Sequence, residues 1–143
     1  MKKVAVVYWS GTGNTEAMAE EISNELKSKD IEVELLGPSS FTKDDIEKYN
    51  GIAFGCPAMG SEELEETEFE PMFADIESSL SNKPVLLFGS YQWADGEWMQ
   101  TWQERCEALN VNLVRDGLIA YDYPDDDALE ECRQAADKLA ESI

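Results

Sequence analysis

Short apolar runs alternate along the chain with segments in which apolar residues recur every three or four positions. The runs lie at residues 4–9, 31–36, 51–56, 84–89 and 112–121, and their length predicts strands. The second run alternates apolar and acidic residues, which is typical of a half-exposed strand near a sheet edge. The third and fourth runs are apolar throughout and predict buried central strands.

The periodic segments predict helices. Apolar stripes cover residues 14–28, 69–80, 98–109 and 129–143, and a short helix is expected within residues 39–50. Helices therefore separate the strands along the chain.

Strands that alternate with helices form a parallel sheet covered on both faces and joined by right-handed crossovers. We predict an α/β fold with a doubly wound, five-stranded parallel sheet in the order 2-1-3-4-5, in a single domain spanning residues 1–143. Asp116-Gly117 is expected to bend the fifth strand. In this order the loops that follow strands one, three and four meet at one crevice.

The loop after the first strand favours a bound phosphate. Residues 10–15 combine hydroxyls, glycines and one Asn, and the following helix presents free backbone N–H groups and the positive end of its dipole. Three known phosphate loops do not match. The turn has no Lys for a Walker A loop, Glu16 replaces the third Gly of a dinucleotide fingerprint, and Glu62 stands where a phosphatase loop built on Cys56 needs Arg. Neutral donors must therefore hold any phosphate; a tight turn without a ligand is the alternative.

The other two loops at the crevice suit a planar ring. Met59-Gly60-Ser61-Glu62 supplies a thioether, a Gly peptide that can rotate, and a carboxylate. Tyr91 and Trp93 offer flat surfaces, and Trp93 lies outside any helical stripe. Gap filling by Met59 and simple solvation of Glu62 are the alternatives. A phosphate cup beside an aromatic and thioether pocket describes a flavin mononucleotide (FMN) site.

Charge and composition narrow the function. The chain has 31 acidic and 11 basic residues, a formal net charge of −20. Such a surface disfavours binding to nucleic acid or anionic membranes and favours partner proteins with basic patches, unless its acidity only maintains solubility. No apolar run reaches the length of a membrane span, and we expect a cytoplasmic monomer.

The few cysteines and the absence of histidine limit the disulfides, metal sites and catalytic groups that this chain can form. Cys56, Cys106 and Cys132 form no Cys-x-x-Cys pair, and the chain has no His. This argues against a disulfide framework, a zinc site and an iron–sulfur cluster. Hydrolysis is not expected without the usual general base, and we predict no catalytic residue and no metal ligand.

The chain resembles the flavodoxin family, in particular its short clostridial type, over nearly its whole length. The stretches that carry the resemblance are Ser10-Gly11-Thr12-Gly13-Asn14-Thr15, Ala58-Met59-Gly60, Leu64-Glu65-Glu66, Glu68-Phe69-Glu70-Pro71, Phe88-Gly89-Ser90-Tyr91, Trp93 and Asp95-Gly96. The resemblance implies noncovalently bound FMN with Met59 and Trp93 on the two faces of its ring. It also implies that the Gly60–Ser61 carbonyl turns toward flavin N5 in the protonated semiquinone and that Glu62 accepts a hydrogen bond from N3.

The same resemblance implies a low-potential one-electron carrier, not an enzyme, in which FMN shuttles between semiquinone and hydroquinone. Three features disfavour the added negative charge of the hydroquinone: the cup has no cation, the ring lies against aromatic faces, and the protein is acidic. One alternative is an FMN-dependent quinone or NAD(P)H reductase, although no basic residue lies near the loops. A receiver domain is another, but it would need acidic residues where Trp9-Ser10 and Cys56-Pro57 stand.

Three positions depart from the family pattern. Pro57 stands where Ser or Thr is frequent, Ser61 where Asp is frequent, and Gln92 where Gly is frequent. The predicted cofactor-binding residues are Ser10, Gly11, Thr12, Gly13, Asn14, Thr15, Pro57, Ala58, Met59, Gly60, Ser61, Glu62, Ser90, Tyr91, Gln92, Trp93 and Asp95. Acidic residues within 62–70 and 125–127 are expected to border the docking face for redox partners that carry basic patches.

Overall fold

The computed structural model describes residues 1–59, 63–92 and 95–143. The strands are β1 (Lys3–Tyr8), β2 (Glu32–Leu36), β3 (Gly51–Gly55), β4 (Pro84–Tyr91), β5 (Asn112–Leu113) and β6 (Leu118–Tyr121). The α-helices are α1 (Asn14–Lys27), α2 (Phe69–Ile76), α3 (Glu97–Ala108) and α4 (Asp126–Glu141). Short 3-10 helices lie at Pro38–Ser40, Lys43–Lys48 and Glu77–Ser79. None of the described helices is both long and apolar enough to cross a membrane.

The strands form one parallel sheet in the order β2-β1-β3-β4-β5, and β6 also pairs with β4. The predicted doubly wound order is confirmed, with its topological switch between β1 and β3. Every residue of the apolar β3 is buried, as a central parallel strand requires. The half-exposed β2 lies at the sheet edge, where its alternating pattern placed it.

The predicted fifth strand is divided into β5 and β6, and the chain leaves the sheet at Asp116 and Gly117, where a bend was expected. Gln103 of α3 supplies hydrogen bonds at this break. Its side-chain carbonyl oxygen accepts a hydrogen bond from the Gly117 N–H at 2.8 Å, and its side-chain NH2 group donates one to the Asp116 carboxylate at 3.2 Å. A Cβ at Gly117 would overlap the side chain of Met99, so the helix packs against bare backbone here.

Two apolar clusters fill the faces of the sheet. α1 and α4 cover one face, and α2 and α3 cover the other. Trp98 and Trp102 are each 1% exposed within the second cluster, as their helical spacing predicts. The three cysteines are buried and free.

Two element boundaries differ from the prediction. The short helix expected within residues 39–50 is of the 3-10 type, at Pro38–Ser40 and Lys43–Lys48. β4 continues to Tyr91, beyond the expected end at Gly89, because β6 pairs with this extension. The longer β4 therefore includes Ser90 and Tyr91, two of the predicted site residues.

Candidate functional site

The loops that follow β1, β3 and β4 enclose a crevice at the carboxyl edge of the sheet, by which we mean the edge where the strands end. The cavity within it measures about 230 Å³. Its lining residues in the described chain carry no charge: Trp9, Gly11, Thr12, Asn14, Pro57, Ala58, Met59, Ser90, Tyr91 and Gln92. All three loops that the sheet order predicted to converge therefore contribute to one cavity.

The phosphate cup, residues 10–15, is the turn between β1 and α1. Gly13 adopts a φ of 94°, a left-handed conformation that glycine takes without steric cost. The Ser10 hydroxyl oxygen accepts hydrogen bonds from the N–H groups of Gly13 at 3.1 Å and Glu16 at 3.3 Å. These bonds hold the cup closed and leave the Ser10 O–H available as a donor.

Several backbone donors of the cup lack an internal partner. Within the described ranges, no group accepts a hydrogen bond from the N–H of Thr12, Asn14 or Thr15. Asn14 and Thr15 open α1 and are only 7% and 1% exposed. Buried N–H groups without acceptors are costly, and a phosphate at a helix N-terminus would satisfy them. The donor set therefore fits the phosphate of FMN.

Thr15 and Ser90 meet beneath the cup. Their hydroxyl oxygens lie 2.8 Å apart, and the residues are 1% and 3% exposed. Both were predicted to bind the cofactor. The structure also makes them a link between α1 and β4.

Trp9 lines the crevice but was not among the predicted site residues. Its ring packs against Gly11, where a Cβ would lie 3.0 Å from the indole. The indole N–H donates to a Glu68 carboxylate oxygen at 3.0 Å, which joins the cup to the segment before α2. In the sequence Trp9 is the last residue of an apolar run, which predicts an ordinary strand residue. The small residue Gly11, two positions later, is the one local hint that a large ring packs there.

The loop after β3 begins as an extension of the sheet. The Ala58 N–H donates to the Ser90 carbonyl at 3.0 Å, and Met59 and Glu63 exchange backbone hydrogen bonds of 2.9 and 3.0 Å. Met59 lines the cavity, and Pro57 lines it without the hydroxyl that Ser or Thr would provide. The predictions for four positions fall outside the described residues: Gly60, Ser61, Glu62 and Trp93.

Glu65 is buried, although its position among the acidic residues within 62–70 predicts an exposed side chain. It is 4% exposed, and its carboxylate accepts backbone N–H groups from Thr67 at 2.9 Å, Glu68 at 2.8 Å and Phe69 at 2.9 Å, as well as the Thr67 hydroxyl. Burial alone would raise the pKa of Glu65, but the hydrogen bonds from Thr67, Phe69 and Glu68 together lower it. Glu65 therefore caps α2 and is not a solvated acid of the expected docking face.

Cys56 follows β3 directly and is fully buried. Its sulfur accepts the Glu65 N–H at 3.3 Å. Burial raises the pKa of the Cys56 thiol to about 12, so the thiol stays protonated near neutral pH.

The loop after β4 is tied to the end of β6 by Asp122, another residue that the prediction missed. The Asp122 carboxylate accepts from the Gln92 amide at 2.9 Å and from the Asn14 amide at 3.4 Å. Its backbone φ of 56° is one that Asp tolerates better than most residues. Asp95, a predicted site residue, lies in a separate hollow of about 350 Å³ beside the start of α3.

Charge around the crevice has one sign. In the described part of the chain, the segments at the carboxyl edge span residues 9–16, 56–59, 63–69, 91–92, 95–98 and 121–128, and every charged residue in them is Asp or Glu. Any phosphate in the cup would therefore lie in a negative field with neutral donors as its contacts.

Fold and crevice together define a doubly wound α/β protein whose crevice at the switch point fits a mononucleotide phosphate. The family profile described as Flavodoxin matches residues 6–135. The chain is 42% identical over 139 residues to a flavodoxin of Megasphaera elsdenii, with 97% of this chain and 99% of that protein covered. It is 41% identical over 135 residues to a flavodoxin of Clostridium beijerinckii, with 94% and 97% covered. The chain belongs to the flavodoxin family.

Solved structures agree with this assignment. The solution structure of two-electron reduced Megasphaera elsdenii flavodoxin matches with a TM-score of 0.88 and 43% identity, covering 96% of this chain and 98% of that one. Oxidised Flavodoxin 2 from Bacillus cereus matches with a TM-score of 0.86 and 31% identity, covering 99% of each chain. The family and fold predicted from the sequence are confirmed.

Proposed function

We propose that this protein carries single electrons at low potential on noncovalently bound FMN. Flavodoxins are FMN-binding electron carriers. The observation that carries the proposal for this chain is its crevice, which has unpaired backbone donors at one end and the uncharged Met59 and Tyr91 at the other.

The phosphate cup would hold the FMN phosphate through neutral groups. The donors are the N–H groups of Thr12, Asn14 and Thr15 and the O–H of Ser10. Because none of them is a cation, the phosphate charge would stay uncompensated. Bound FMN supplies the ring that accepts and releases electrons.

The residues around the ring end of the crevice favour a low potential. Met59 and Tyr91 line it with apolar surface that screens charge poorly, and the surrounding charged residues are acidic. Each nearby carboxylate makes the arrival of an electron less favourable by Coulomb repulsion. The protein would therefore release an accepted electron readily.

The acidic edge also supports a kind of partner. We infer that electrons pass to and from redox proteins with basic patches, because opposite charges accelerate encounter and orient the two proteins. Exposed acids in the described chain that could meet such a patch are Glu63, Glu66, Asp125, Asp126 and Asp127.

The direct test is to purify the protein, record its visible spectrum and titrate FMN into the cofactor-free chain while following flavin fluorescence. The proposal expects a yellow protein, quenched fluorescence at one equivalent of FMN, and two separate reduction steps in a potentiometric titration. A folded, colourless protein that takes up no FMN would contradict it. Rapid NADPH oxidation by the isolated protein would instead support the reductase alternative.

A further inference from the structure

Two exposed tyrosines lie beside the crevice. Tyr121 and Tyr123 are 65% and 64% exposed, the highest values among the aromatic side chains in the described part of the chain. Scattered single apolar residues on a surface are ordinary, but Tyr121 and Tyr123 place two large exposed aromatics on one short segment. Tyrosine in such a position often marks a contact site because its ring is large and its hydroxyl remains hydrated.

The segment 121–123, which we call the tyrosine rim, contacts residues that line the crevice. Tyr121 pairs with Tyr91 in the sheet, and their rings meet edge to face with centroids 5.5 Å apart. Between the two tyrosines, Asp122 accepts hydrogen bonds from Gln92 and Asn14. A protein that touches the rim would therefore lie next to the crevice.

The charges beside the rim select a cationic partner. Asp122 lies within it, and Asp125, Asp126 and Asp127 follow at the start of α4. The edge segments contain no Lys or Arg, so a second copy of this chain would bring like charges together. A basic protein would find aromatic faces and carboxylates in the same place.

Arginine fits this combination better than lysine. Its planar guanidinium stacks on an aromatic ring while its N–H groups donate to carboxylates, whereas the compact ammonium of lysine is more strongly hydrated. We propose that the tyrosine rim is a docking surface for arginine side chains of the redox partner. This inference rests on the proposed function, because only a carrier needs its partner next to the crevice.

The experiment compares two capped peptides of equal charge, Ac-GRGRGRG-NH2 and Ac-GKGKGKG-NH2. Each is titrated into the ¹⁵N-labelled, FMN-loaded full chain at low ionic strength and followed by NMR. We expect the arginine peptide to bind about two- to five-fold more tightly, the range of a surface cation–π contact. The largest shifts should fall on the tyrosine rim and its neighbours.

Variants separate the rings from the charges. In Tyr121→Ala/Tyr123→Ala the preference for arginine should disappear, while binding of the lysine peptide should change little. Tyr121→Phe/Tyr123→Phe should keep the preference because the ring faces remain. Leu35→Ala is the matched control, since Leu35 is also exposed, at 41%, but lies on the edge strand β2. If the double alanine variant does not fold, Tyr123→Ala alone, outside β6, should halve the preference.

Several outcomes would overturn the inference. They are equal affinity of the wild type for both peptides, an unchanged preference in the alanine variants, shifts centred away from the rim, or self-association through it. The result is separable from that of the proposed function. If the purified chain takes up no FMN, the carrier proposal fails on its spectrum, and the peptides then report on the cofactor-free chain.

Discussion

Carboxylates at the two edges of the sheet have different partners. At the amino edge, where the strands begin, carboxylates face lysines. Lys3 lies 2.8 Å from Glu34 and 3.4 Å from Glu32, and Lys48 lies 2.8 Å from Asp45 just before β3. Positive charge cancels negative charge there.

At the carboxyl edge, the carboxylates beside the crevice bond to neutral donors; Glu70, in the first turn of α2, is the exception and pairs with Arg105 of α3 at 2.8 Å. Glu68 accepts from the Trp9 indole at 3.0 Å, Asp122 accepts from the Gln92 amide at 2.9 Å, and Glu65 accepts backbone N–H groups. These bonds fix the positions of the acids without removing their charge. The phosphate cup follows the same rule, since its donors are neutral as well.

Neutral hydrogen bonds allow this chain to order its crevice loops and keep a strong negative field there. Ion pairs would order the crevice loops but would cancel the field that favours a low potential. Neutral hydrogen bonds order the loops and preserve it. Four substitutions test this contrast.

The largest expected effect is that of Glu65→Gln. The amide keeps the shape but loses charge-assisted hydrogen bonds and turns an NH2 group toward a backbone donor, so the free energy of unfolding should fall by about 2 to 3 kcal/mol. Urea unfolding at neutral pH measures this loss. Glu66→Gln, at an exposed neighbouring position, is the control and should change little.

The same variant has a pH signature. The hydrogen bonds lower the pKa of Glu65 despite its burial, so its stabilisation is present above the pKa of the unfolded chain and is lost as the pH falls through the folded pKa. The gap between wild type and Glu65→Gln should therefore narrow in acid. A gap that is constant at all pH values would show that the charge of Glu65 is irrelevant.

A smaller effect is expected for Trp9→Phe. Phe keeps an aromatic ring but loses the distal indole carbons that approach Gly11 as well as the hydrogen bond to Glu68, which should together cost about 1 to 2 kcal/mol of stability. Glu68→Gln keeps an acceptor and should cost less. Thermal unfolding and FMN affinity measured on both variants would decide whether this bond couples the cup to the loop before α2.

Thr12→Lys introduces the missing cation into the cup. A positive charge near the bound cofactor should favour the added electron by about 1 kcal/mol, or about 40 mV, in the lower of the two potentials. Ser81→Lys adds the same charge at the amino edge, where solvent and distance screen it. Equal shifts in the two variants would contradict a field that is local to the crevice.

The smallest effect belongs to the amino edge. The hydrogen bond from Lys3 lowers the pKa of Glu34, so Glu34→Gln removes a stabilisation that acts above the unfolded pKa and disappears in acid. Both partners are partly exposed, at 31% and 41%, and exposed ion pairs contribute little. Urea unfolding should barely distinguish this variant from the wild type, and a loss as large as that of Glu65→Gln would break the contrast between the edges.

The elements and their order were accessible from the sequence. Apolar periods of two and of three to four are local properties, so strands, helices and the buried state of Trp98 and Trp102 follow from short windows. The phosphate cup was accessible for the same reason, because Gly13 and its neighbours carry their conformational and donor chemistry with them. The break at Asp116-Gly117 was visible as a local turn signal.

Which acids are fixed by hydrogen bonds and which face solvent could be seen only in the folded chain. Glu65 is surrounded by acidic residues in the sequence, and nothing local separates the buried carboxylate from its solvated neighbours. Trp9 is fixed by its hydrogen bond to Glu68, and Asp122 is fixed by hydrogen bonds from Asn14 and Gln92. All of these partners are distant along the chain. Burial and hydrogen-bond partners are set by chain packing, whereas periodicity and turn chemistry are written in neighbouring residues.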